Sequence, residues 1–300
     1  MIETIQRESV ISFPFLGGLT LDPPSYITVF GKNIYFYGII IAFGFILGTL
    51  YCARKSKQFG FTDDDVYDVI IWLIPSAIIG ARLYFVLFKL DYYLQNPGEI
   101  AAIWNGGLAI YGGVIAGILV ILLVCRKKKQ SVLAMLDLLT FGLLIGQIMG
   151  RWGNFMNREA FGAPTEVFCR MGLTAPDGTT IYVHPTFLYE SLWNLIGFIG
   201  LTVFAKKGLR KYDGQCLLLY FAWYGLGRGW IEGLRTDSLY VGNTNIRISQ
   251  VLSWVMVLVS AIILIKNARR THTEDELFVN RVNGAKEIII ENKDEKKEGE

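Results

Sequence analysis

The chain has 300 residues, of which 52% are hydrophobic, and it carries a formal net charge of +3. Its mean hydropathy is +0.39. A soluble domain of this length would show amphipathic periods broken by turns, whereas long uncharged stretches dominate here. The composition predicts an integral membrane protein and gives no reason to expect nucleic-acid binding.

The first segment, residues 1–34, does not resemble a cleaved signal peptide. Glu3 and Glu8 stand where a basic region would be needed. No short apolar core with a small-residue cleavage site follows them. We expect this segment to be extracytoplasmic and the first membrane span to remain as an anchor.

Seven apolar stretches follow in chain order. Three are uncharged over about 18 to 20 residues, enough to cross a hydrocarbon core of roughly 30 Å, and four contain ionisable interruptions. The stretches are Tyr35–Ala53, Val66–Leu90, Gly106–Cys125, Val132–Gly150, Pro185–Ala205, Gly214–Leu234 and Ile248–Ile265. We therefore predict an all-α integral membrane protein with about seven transmembrane helices in a membrane domain over residues 35–270.

Basic residues cluster after alternate stretches, which sets the expected orientation. Positive charge marks the cytoplasmic side of a membrane protein. The clusters are Arg54, Lys55 and Lys57; Arg126, Lys127, Lys128 and Lys129; Lys206, Lys207, Arg210 and Lys211; and Lys266, Arg269 and Arg270. This alternation predicts an N-terminus outside and a C-terminus in the cytoplasm.

Two segments outside the spans have a distinct character. Residues 151–184 form the longest connection, fall outside in this topology and contain turn signals that suggest a short hairpin. A connection of that length is more often functional than idle. Residues 271–300 are charged and lack an apolar period, which predicts a mostly disordered cytoplasmic tail.

The four cysteines do not indicate a disulfide framework or a metal site. Cys52, Cys125 and Cys216 fall near the predicted cytoplasmic face, and Cys169 lies alone in the outer segment. None forms a close pair, so we expect packing thiols, with no metal or cofactor.

Polar side chains within the spans lie almost entirely on the outer side, with Asp137 as the exception. They include Tyr37, Arg82, Tyr111, Arg151, Glu190, Arg228 and Glu232. Ionisable residues at membrane depth are costly, so each is a candidate for function. Their common depth predicts a polar cavity that opens outward.

Helical phase supports this grouping. Tyr224, Arg228, Glu232 and Arg235 share one helix face, and Arg151, Asn154, Asn157 and Arg158 form a second stripe if the helix continues past Gly150. Taken singly, each residue also fits a structural role, such as an ion pair between Arg228 and Glu232. Asp137 fits a cap near the basic loop, and Tyr37 an interfacial aromatic belt.

A guanidinium fork binds a phosphate oxyanion in bidentate fashion. Arginines at the depth of lipid headgroups therefore favour a phospholipid phosphate as ligand. A transporter is the alternative, but it would need polar groups that continue to the cytoplasmic side or paired broken helices. In this chain the polar residues within the spans become fewer toward the predicted cytoplasmic side.

The stretch "GRWGNFMNREAFG", residues 150–162, resembles the signature of the prolipoprotein diacylglyceryl transferases. Further blocks resemble that family in order: "YFYGIII", "GARLYFVLF", "WNGGLAIYGG", "HPTFLYE" and "WYGLGRGWIEGLRTD". The resemblance covers roughly residues 30 to 270. Six ordered blocks make a specific signal, although any one of them alone would be weak.

The resemblance implies an enzyme of the bacterial inner membrane. Its substrates would be phosphatidylglycerol and prolipoprotein signal peptides with a lipobox cysteine. It would move the diacylglyceryl group to the cysteine thiol, form a thioether and release glycerol phosphate. The substrate supplies the thiolate nucleophile, so the enzyme needs no cysteine of its own.

The matched blocks also imply site residues. Arg151 and Arg228 would stabilise the departing phosphate, with Arg82 and Arg235 as helpers. The remaining implied positions are Tyr37, Asn154, Asn157, Glu159, Gly162, Glu190 and Tyr224 for substrate binding, and Glu232, His184 and Tyr111 for catalysis. Of these, the asparagines would donate hydrogen bonds, and the glutamates would orient the arginines or accept the thiol proton.

One position departs from part of the family. Many members have a histidine before the Gly-Gly pair of the third-span block, where this chain has Tyr111. A free tyrosine has a pKa near 10 and is a poor base at neutral pH. His184 and Glu232 are the alternative candidates for the base.

Overall fold

The computed structural model describes residues 9–240 and 244–285. Within them the chain is mainly helical, with a short helix over residues 278–285 after the last long one. The earlier helices are α1 (Phe36–Lys55), α2 (Asp63–Phe88), α3 (Leu90–Gln95), α4 (Ile110–Lys127), α5 (Val132–Met156), α6 (Thr186–Lys206), α7 (Gln215–Leu234) and α8 (Ile248–Ala268).

Six of the described helices are long and apolar enough to cross a membrane: α1, α2, α4, α5, α6 and α8. The seventh predicted span also forms a helix, α7, but it falls below that hydropathy. Its sequence contains Arg228, Glu232 and several glycines, which lower the mean hydropathy. The multi-span prediction is confirmed, whereas the count of seven and the orientation of the termini stay predictions.

The chain forms two compact units. The first contains residues 1–48, 140–210 and 215–271, and the second contains residues 49–139, 211–214 and 272–300. Helices α1 and α5 each contribute residues to both units.

In the first unit, the segments outside the spans form β-structure that the sequence analysis largely missed. Strands β1 (Val10–Phe13), β2 (Leu19–Leu21), β5 (Met171–Thr174) and β6 (Thr180–Val183) form an antiparallel sheet in the order β2-β1-β5-β6. The β5–β6 pair is the expected hairpin. Strands β3 (Tyr26–Val29) and β4 (Lys32–Tyr35) form a separate antiparallel hairpin directly before α1.

A hydrophobic cluster joins the four-stranded sheet to the helices. Ile11, Leu173 and Val183 from the sheet pack with Phe155 of α5 and Phe187 of α6. Because buried apolar surface stabilises a fold roughly in proportion to its area, this cluster fixes the end of α5 against the start of α6. The end of α5 carries Arg151, and the start of α6 carries Glu190.

Helices α6 and α7 are held together by two tryptophans. The rings of Trp193 and Trp223 stack at 4.3 Å, and each indole N–H donates to the other residue's carbonyl, at 2.9 and 2.8 Å. A side chain at Gly197 or Gly227 would collide with these rings. The glycines therefore allow the close approach that sets Glu190 of α6 opposite the polar face of α7.

In the second unit, α2 and α4 pack through small residues. An added Cβ at Gly80 would meet Ala116 and the backbone of Gly112, so the two helices approach at backbone distance. Small residues at such crossings are typical of helix packing in membranes. The cap of α2 is a complete capping box, in which Thr62 and Asp65 exchange hydrogen bonds.

The C-terminal segment differs from the expected disordered tail over residues 271–285. The carboxylate of Asp213 accepts a hydrogen bond from the backbone N–H of Phe278, and the Phe278 ring packs at 5.1 Å from that of Phe61. Arg281 adds an ion pair to Asp213 at 3.2 Å. Charge patterning could not reveal these partners, because they lie in distant loops. Residues 286–300 lie outside the described residues.

Candidate active site

Three arginines converge on one buried carboxylate in the first unit. Glu190 Oε2 lies 3.2 Å from Arg151 Nε, while Glu190 Oε1 lies 2.6 Å from Arg228 Nη1 and 3.4 Å from Arg235 Nη1. Arg228 Nη2 also lies 2.6 Å from Glu232 Oε2. We call these five residues the arginine cluster.

The cluster forms because three helices present polar positions at neighbouring ends. Helix α5 continues past Gly150 to Met156, so Arg151 is helical and the connection to α6 begins six residues later than predicted. Glu190 lies in the second turn of α6. Arg228 and Glu232 are one turn apart on α7, which places both on the face toward α6.

Arg151 contacts Glu190 through only part of its guanidinium. Its Nε faces Glu190, but within residues 9–240 and 244–285 no protein group accepts a hydrogen bond from its Nη1 or Nη2. The side chain is 27% exposed, compared with 18% for Arg228 and 6% for Glu190. Arg151 therefore keeps donors available for a ligand, while its position is fixed by the carboxylate.

Sequence reasoning missed one carboxylate that belongs with the cluster. Asp237 accepts from Nε and Nη2 of Arg235 at 2.9 and 2.7 Å, a bidentate pair. Desolvation of Asp237 acts to raise its pKa, but the hydrogen bonds and charge of Arg235 outweigh it and lower the pKa. The acid two residues after Arg235 was the available signal. With Asp237, three arginines face three carboxylates.

The signature block forms a second polar group beside the end of α5. Asn154 and Asn157 both point their side-chain amides at Glu159, with Nδ2 to Oε1 distances of 2.9 and 3.4 Å. The backbone N–H of Glu159 donates to the carbonyl of Asn154 at 3.0 Å. These contacts close the chain back on the helix end, so the asparagine and glutamate side chains are ordered without help from a ligand.

Gly162 joins the signature block to both neighbouring helices. Its N–H donates to the His184 carbonyl at 2.9 Å, and it bridges Arg235 in a short antiparallel contact. A Cβ at this position would lie 2.6 Å from His184 Cβ and 2.8 Å from the Leu234 carbonyl oxygen. Only glycine fits here, and its absence of a side chain brings His184 and Arg235 close to one backbone position.

His184 is placed by its backbone and by Tyr189. Its N–H donates to the Ala163 carbonyl at 3.2 Å, and its Nδ1 lies 3.4 Å from the Tyr189 hydroxyl. Burial lowers the pKa of His184, because desolvation disfavours the imidazolium. The imidazole is therefore neutral at pH 7 and able to accept a proton.

Two tyrosines of the implied site lie in the same unit. The Tyr37 ring packs on the backbone of Gly153 in α5, where a Cβ would lie 2.8 Å from the ring. Tyr224 lies one turn before Arg228 on α7 and stacks on Tyr220 at 5.5 Å. Both aromatic side chains therefore belong to the helices that carry the cluster.

Arg82, an implied substrate-binding residue, donates its hydrogen bonds to backbone carbonyls. In the second unit its Nε donates to the Ile100 carbonyl, Nη1 to those of Gly106 and Gly107, and Nη2 to that of Glu99, at 2.6 to 3.0 Å. The residue is 6% exposed. Its fork holds the connection between α3 and α4 and leaves little for a ligand.

Tyr111 also belongs to the second unit. It lies at the first turn of α4, is exposed, and its ring is 6.5 Å from that of Tyr84. The other implied site residues are in the first unit, where the contacts above join ten of them into neighbouring groups.

Arg158, part of the predicted stripe on α5, does not continue that stripe. Its backbone has φ of 51°, a left-handed conformation that ends the helix. The buried guanidinium donates to the Ser9 carbonyl at 2.9 Å and to Asp22 Oδ1 at 2.7 Å. Arg158 therefore ties the N-terminal segment to the signature block rather than joining the arginine cluster.

Comparison with known proteins identifies the family. Residues 24–266 match the model of the family described as prolipoprotein diacylglyceryl transferase. A phosphatidylglycerol–prolipoprotein diacylglyceryl transferase of Finegoldia magna is 42% identical over 249 residues, which cover 83% of this chain and 97% of the relative. Relatives of the same name from Lactiplantibacillus plantarum and Enterococcus faecalis are 41% and 42% identical, and cover 87% of this chain and 94% and 95% of their own lengths.

The matched range contains the arginine cluster and the signature block. Of the six described helices long enough to span a membrane, it contains five whole and α8 up to residue 266. The chain therefore belongs to the prolipoprotein diacylglyceryl transferase family and is a multi-pass membrane protein.

Proposed function

We propose that the chain transfers the diacylglyceryl group of phosphatidylglycerol to the thiol of the lipobox cysteine in prolipoproteins, the first step of lipoprotein maturation. The names of its relatives support this reaction. The observation that carries the proposal is a partly open guanidinium, that of Arg151, fixed beside Arg228 by a shared buried carboxylate.

The reaction is a displacement at carbon. The thiolate sulfur forms a bond to the terminal glyceryl carbon of the diacylglyceryl group, and the bond from that carbon to the phosphate oxygen breaks. The electron pair of the broken bond stays on the phosphate, which leaves as glycerol phosphate. The thiol proton passes to a base. No oxidant, reductant or metal enters this balance.

Negative charge grows on the departing phosphate, so donors already aimed at it lower the barrier. Arg151 offers Nη1 and Nη2, and Arg228 adds a second positive charge within the same cluster. Glu190 contacts both arginines and would hold their geometry before the lipid arrives. Arg235, bound to Asp237, would sit at the headgroup or entry side.

The signature block would orient the substrates. The amides of Asn154 and Asn157 are ordered by Glu159 and would donate to lipid or peptide oxygens. Gly162 would act through its close backbone packing, while Tyr37 and Tyr224 would line the site with aromatic surface. Arg82 differs from these residues: its contacts support a structural role in place of the substrate-binding role implied by resemblance.

His184 is the base that the geometry supports best. Its lowered pKa keeps it neutral, and Tyr189 fixes one ring nitrogen. Glu232 is the alternative, but its carboxylate is buried against Arg228.

The membrane would be the bacterial plasma membrane, with the N-terminus outside and the C-terminus in the cytoplasm. The basic clusters at the ends of alternate helices support this orientation. The arginine cluster would then lie at the outer surface, where prolipoproteins emerge after export.

Mass spectrometry of a reconstituted reaction tests the proposal. Purified protein would be mixed with phosphatidylglycerol and a lipobox peptide, with a peptide that has serine in place of the cysteine as control. We expect a diacylglyceryl mass gain on the cysteine peptide alone, together with release of glycerol phosphate. Folded protein that binds the lipid but gives no mass gain would refute the transfer and favour a transport function, which solute flux in sealed vesicles would reveal.

A further inference from the structure

The β3–β4 hairpin has one apolar face and a turn that are both unusual for a segment surrounded by water. Its strands pair Tyr26 with Tyr35, Ile27 with Ile34, Thr28 with Asn33 and Val29 with Lys32. Paired residues share a face, so one face carries the tyrosines, threonine and asparagine. The other face is aliphatic along Ile27, Ile34 and Val29, and ends at Lys32.

The aliphatic face is uncovered in the described part of the chain. Ile27 and Ile34 are each 42% exposed and Val29 is 37% exposed. A lone two-stranded hairpin is at best marginally stable in water. Exposure of its most apolar face therefore indicates that something other than water covers it.

The hairpin tip points to the same conclusion. The two-residue turn consists of Phe30 and Gly31, with φ of 50° and 75°. Both positions of such a turn require positive φ, and asparagine or glycine usually occupies the first one. A phenylalanine there is strained, yet its side chain is fully exposed and gains no packing within the described chain. The ring is placed to contact an external apolar phase.

The membrane is the occupant that the chain connectivity favours. Strand β4 ends at Tyr35 and α1, a helix long and apolar enough to span a membrane, begins at Phe36 without a linker. The Phe36 N–H donates to the Ser25 carbonyl at 3.0 Å, which ties both ends of the hairpin to the helix start. The exposed aliphatic face therefore belongs to a hairpin joined directly to a helix whose own apolar side chains, such as Ile39 and Phe43, are exposed.

We propose that the β3–β4 hairpin is a membrane-interface anchor, which inserts Phe30 and its aliphatic face at the boundary between lipid headgroups and acyl chains. Lys32 can extend its ammonium to lipid phosphates while its methylenes stay among apolar groups. Tyr26 and Tyr35, whose rings lie 5.6 Å apart, match the aromatic residues common at membrane interfaces. The anchor would fix the tilt and depth of α1, independently of the transfer reaction.

Spin labels at single cysteines test this anchor in phosphatidylglycerol-containing vesicles. Cys52, Cys125 and Cys216 are buried, so a Cys169→Ser background leaves an introduced cysteine as the main labelling position. Labels at Ile27→Cys, Phe30→Cys and Ile34→Cys should collide more with oxygen than with a water-soluble nickel complex. For labels at Thr28→Cys and Asn33→Cys, on the opposite face, the ratio of oxygen collisions to nickel-complex collisions should be several-fold lower.

A turn variant separates insertion from folding. Phe30→Asn keeps a residue that tolerates positive φ but removes the ring, so the label at Ile34→Cys should shift toward water in this background. Equal, water-like ratios on both faces would overturn the proposal. Burial of Ile27 and Ile34 that appears only after a lipobox peptide is added would also overturn it, and would identify that face as a peptide-docking surface.

Discussion

The arginine cluster and the Arg82 region use the same residue type in opposite ways. Arg151 and Arg228 contact carboxylates and keep 27% and 18% of their side chains exposed. Arg82 is nearly buried and donates to four backbone carbonyls. Glu190 fixes Arg151 through its Nε and leaves Nη1 and Nη2 available, whereas the four carbonyls engage all three nitrogens of Arg82.

This difference in contacts distinguishes an arginine that can bind substrate from one that supports the fold. The sequence alone does not distinguish them. All three residues lie in blocks that resemble the family, and all three were implied as site residues. Their partners indicate that replacement of Arg151 or Arg228 will impair chemistry, and that replacement of Arg82 will impair folding. Each prediction below tests one side of this contrast.

The largest effect is expected from Arg151→Ala and Arg228→Ala. Loss of a charged donor at a developing anion typically costs about 100- to 1,000-fold in rate, so transfer should fall at least that far. Thermal stability should change little for Arg151, because its side chain is partly exposed. Steady-state transfer to a lipobox peptide and a melting curve measure both quantities.

Arg170→Ala is the matched control for these variants. Arg170 directly precedes β5 and has a side-chain exposure of 28%; it makes a 3.9 Å ion pair with exposed Glu166. It also donates to the carbonyls of Glu166 and Val167 and lies over the Tyr182 ring, outside the arginine cluster. Its replacement should leave the transfer rate within about twofold, since exposed ion pairs contribute little energy. A similar loss of activity in Arg170→Ala and Arg151→Ala would mean that the arginine cluster has no specific role in the reaction.

Arg82→Ala should lower stability more than Arg151→Ala. It would remove the donor from the carbonyls of Glu99, Ile100, Gly106 and Gly107, at about 0.5 to 1.5 kcal/mol for each hydrogen bond lost. The melting temperature in detergent should drop, and activity per folded molecule should be largely retained. An unchanged melting temperature with abolished transfer would mean that Arg82 binds substrate and does not mainly support the fold.

The pH dependence of the transfer rate should come from His184. Burial lowers the pKa of His184 below its usual value of 6.5, so a base at this position works at pH 7 and loses function as the pH falls further. The rate should therefore decline only in solutions more acidic than about pH 6.5. His184→Gln should reduce the rate and remove this acidic decline; an unaltered profile would transfer the role to Glu232.

Arg158→Ala should loosen the N-terminal segment with a smaller effect on chemistry. The buried guanidinium joins Ser9 and Asp22 to the signature block, so its loss should raise protease sensitivity before residue 30. Asp22→Ala is the milder companion, because the Asp22 side chain is 68% exposed. Equal sensitivity in both variants would mean that the carbonyl contact to Ser9 contributes nothing.

The smallest effect is expected from Tyr111→Phe. If another group is the base, loss of the exposed hydroxyl should change the transfer rate by less than about tenfold, within the range of a single neutral hydrogen bond. The measurement is a rate comparison at pH 7 and pH 9. A loss as large as that of Arg228→Ala would give Tyr111 a direct role in proton transfer.

Much of the membrane domain could be predicted from the sequence, because apolar stretches of sufficient length allow few structures in a bilayer. The grouping of Arg228 with Glu232 followed from helical phase. The β-sheet could not be predicted in the same way: β1 pairs with β5, which lies about 160 residues later, and each strand has only three or four residues. Short strands give weak alternation, and their pairing depends on distant partners.

The roles of individual arginines were beyond the sequence for a related reason. Arg82 and Arg158 differ from Arg151 by the atoms they contact, and those atoms are backbone carbonyls supplied by irregular connections. A carbonyl is present at every position, so sequence carries no sign of which ones will face a guanidinium. Asp237 was missed for a simpler reason, since it follows the predicted helix and looks like an ordinary surface acid.

The most direct test of the account is phosphatidylglycerol binding, measured by native mass spectrometry on the intact protein and three variants. The central claim is that Arg151 and Arg228 hold the lipid phosphate while Arg82 supports the fold. It predicts that Arg151→Ala and Arg228→Ala lose most of the bound lipid, and that folded Arg82→Ala and the Arg170→Ala control retain it. Lipid retention in both cluster variants, or its loss in folded Arg82→Ala, would contradict the claim.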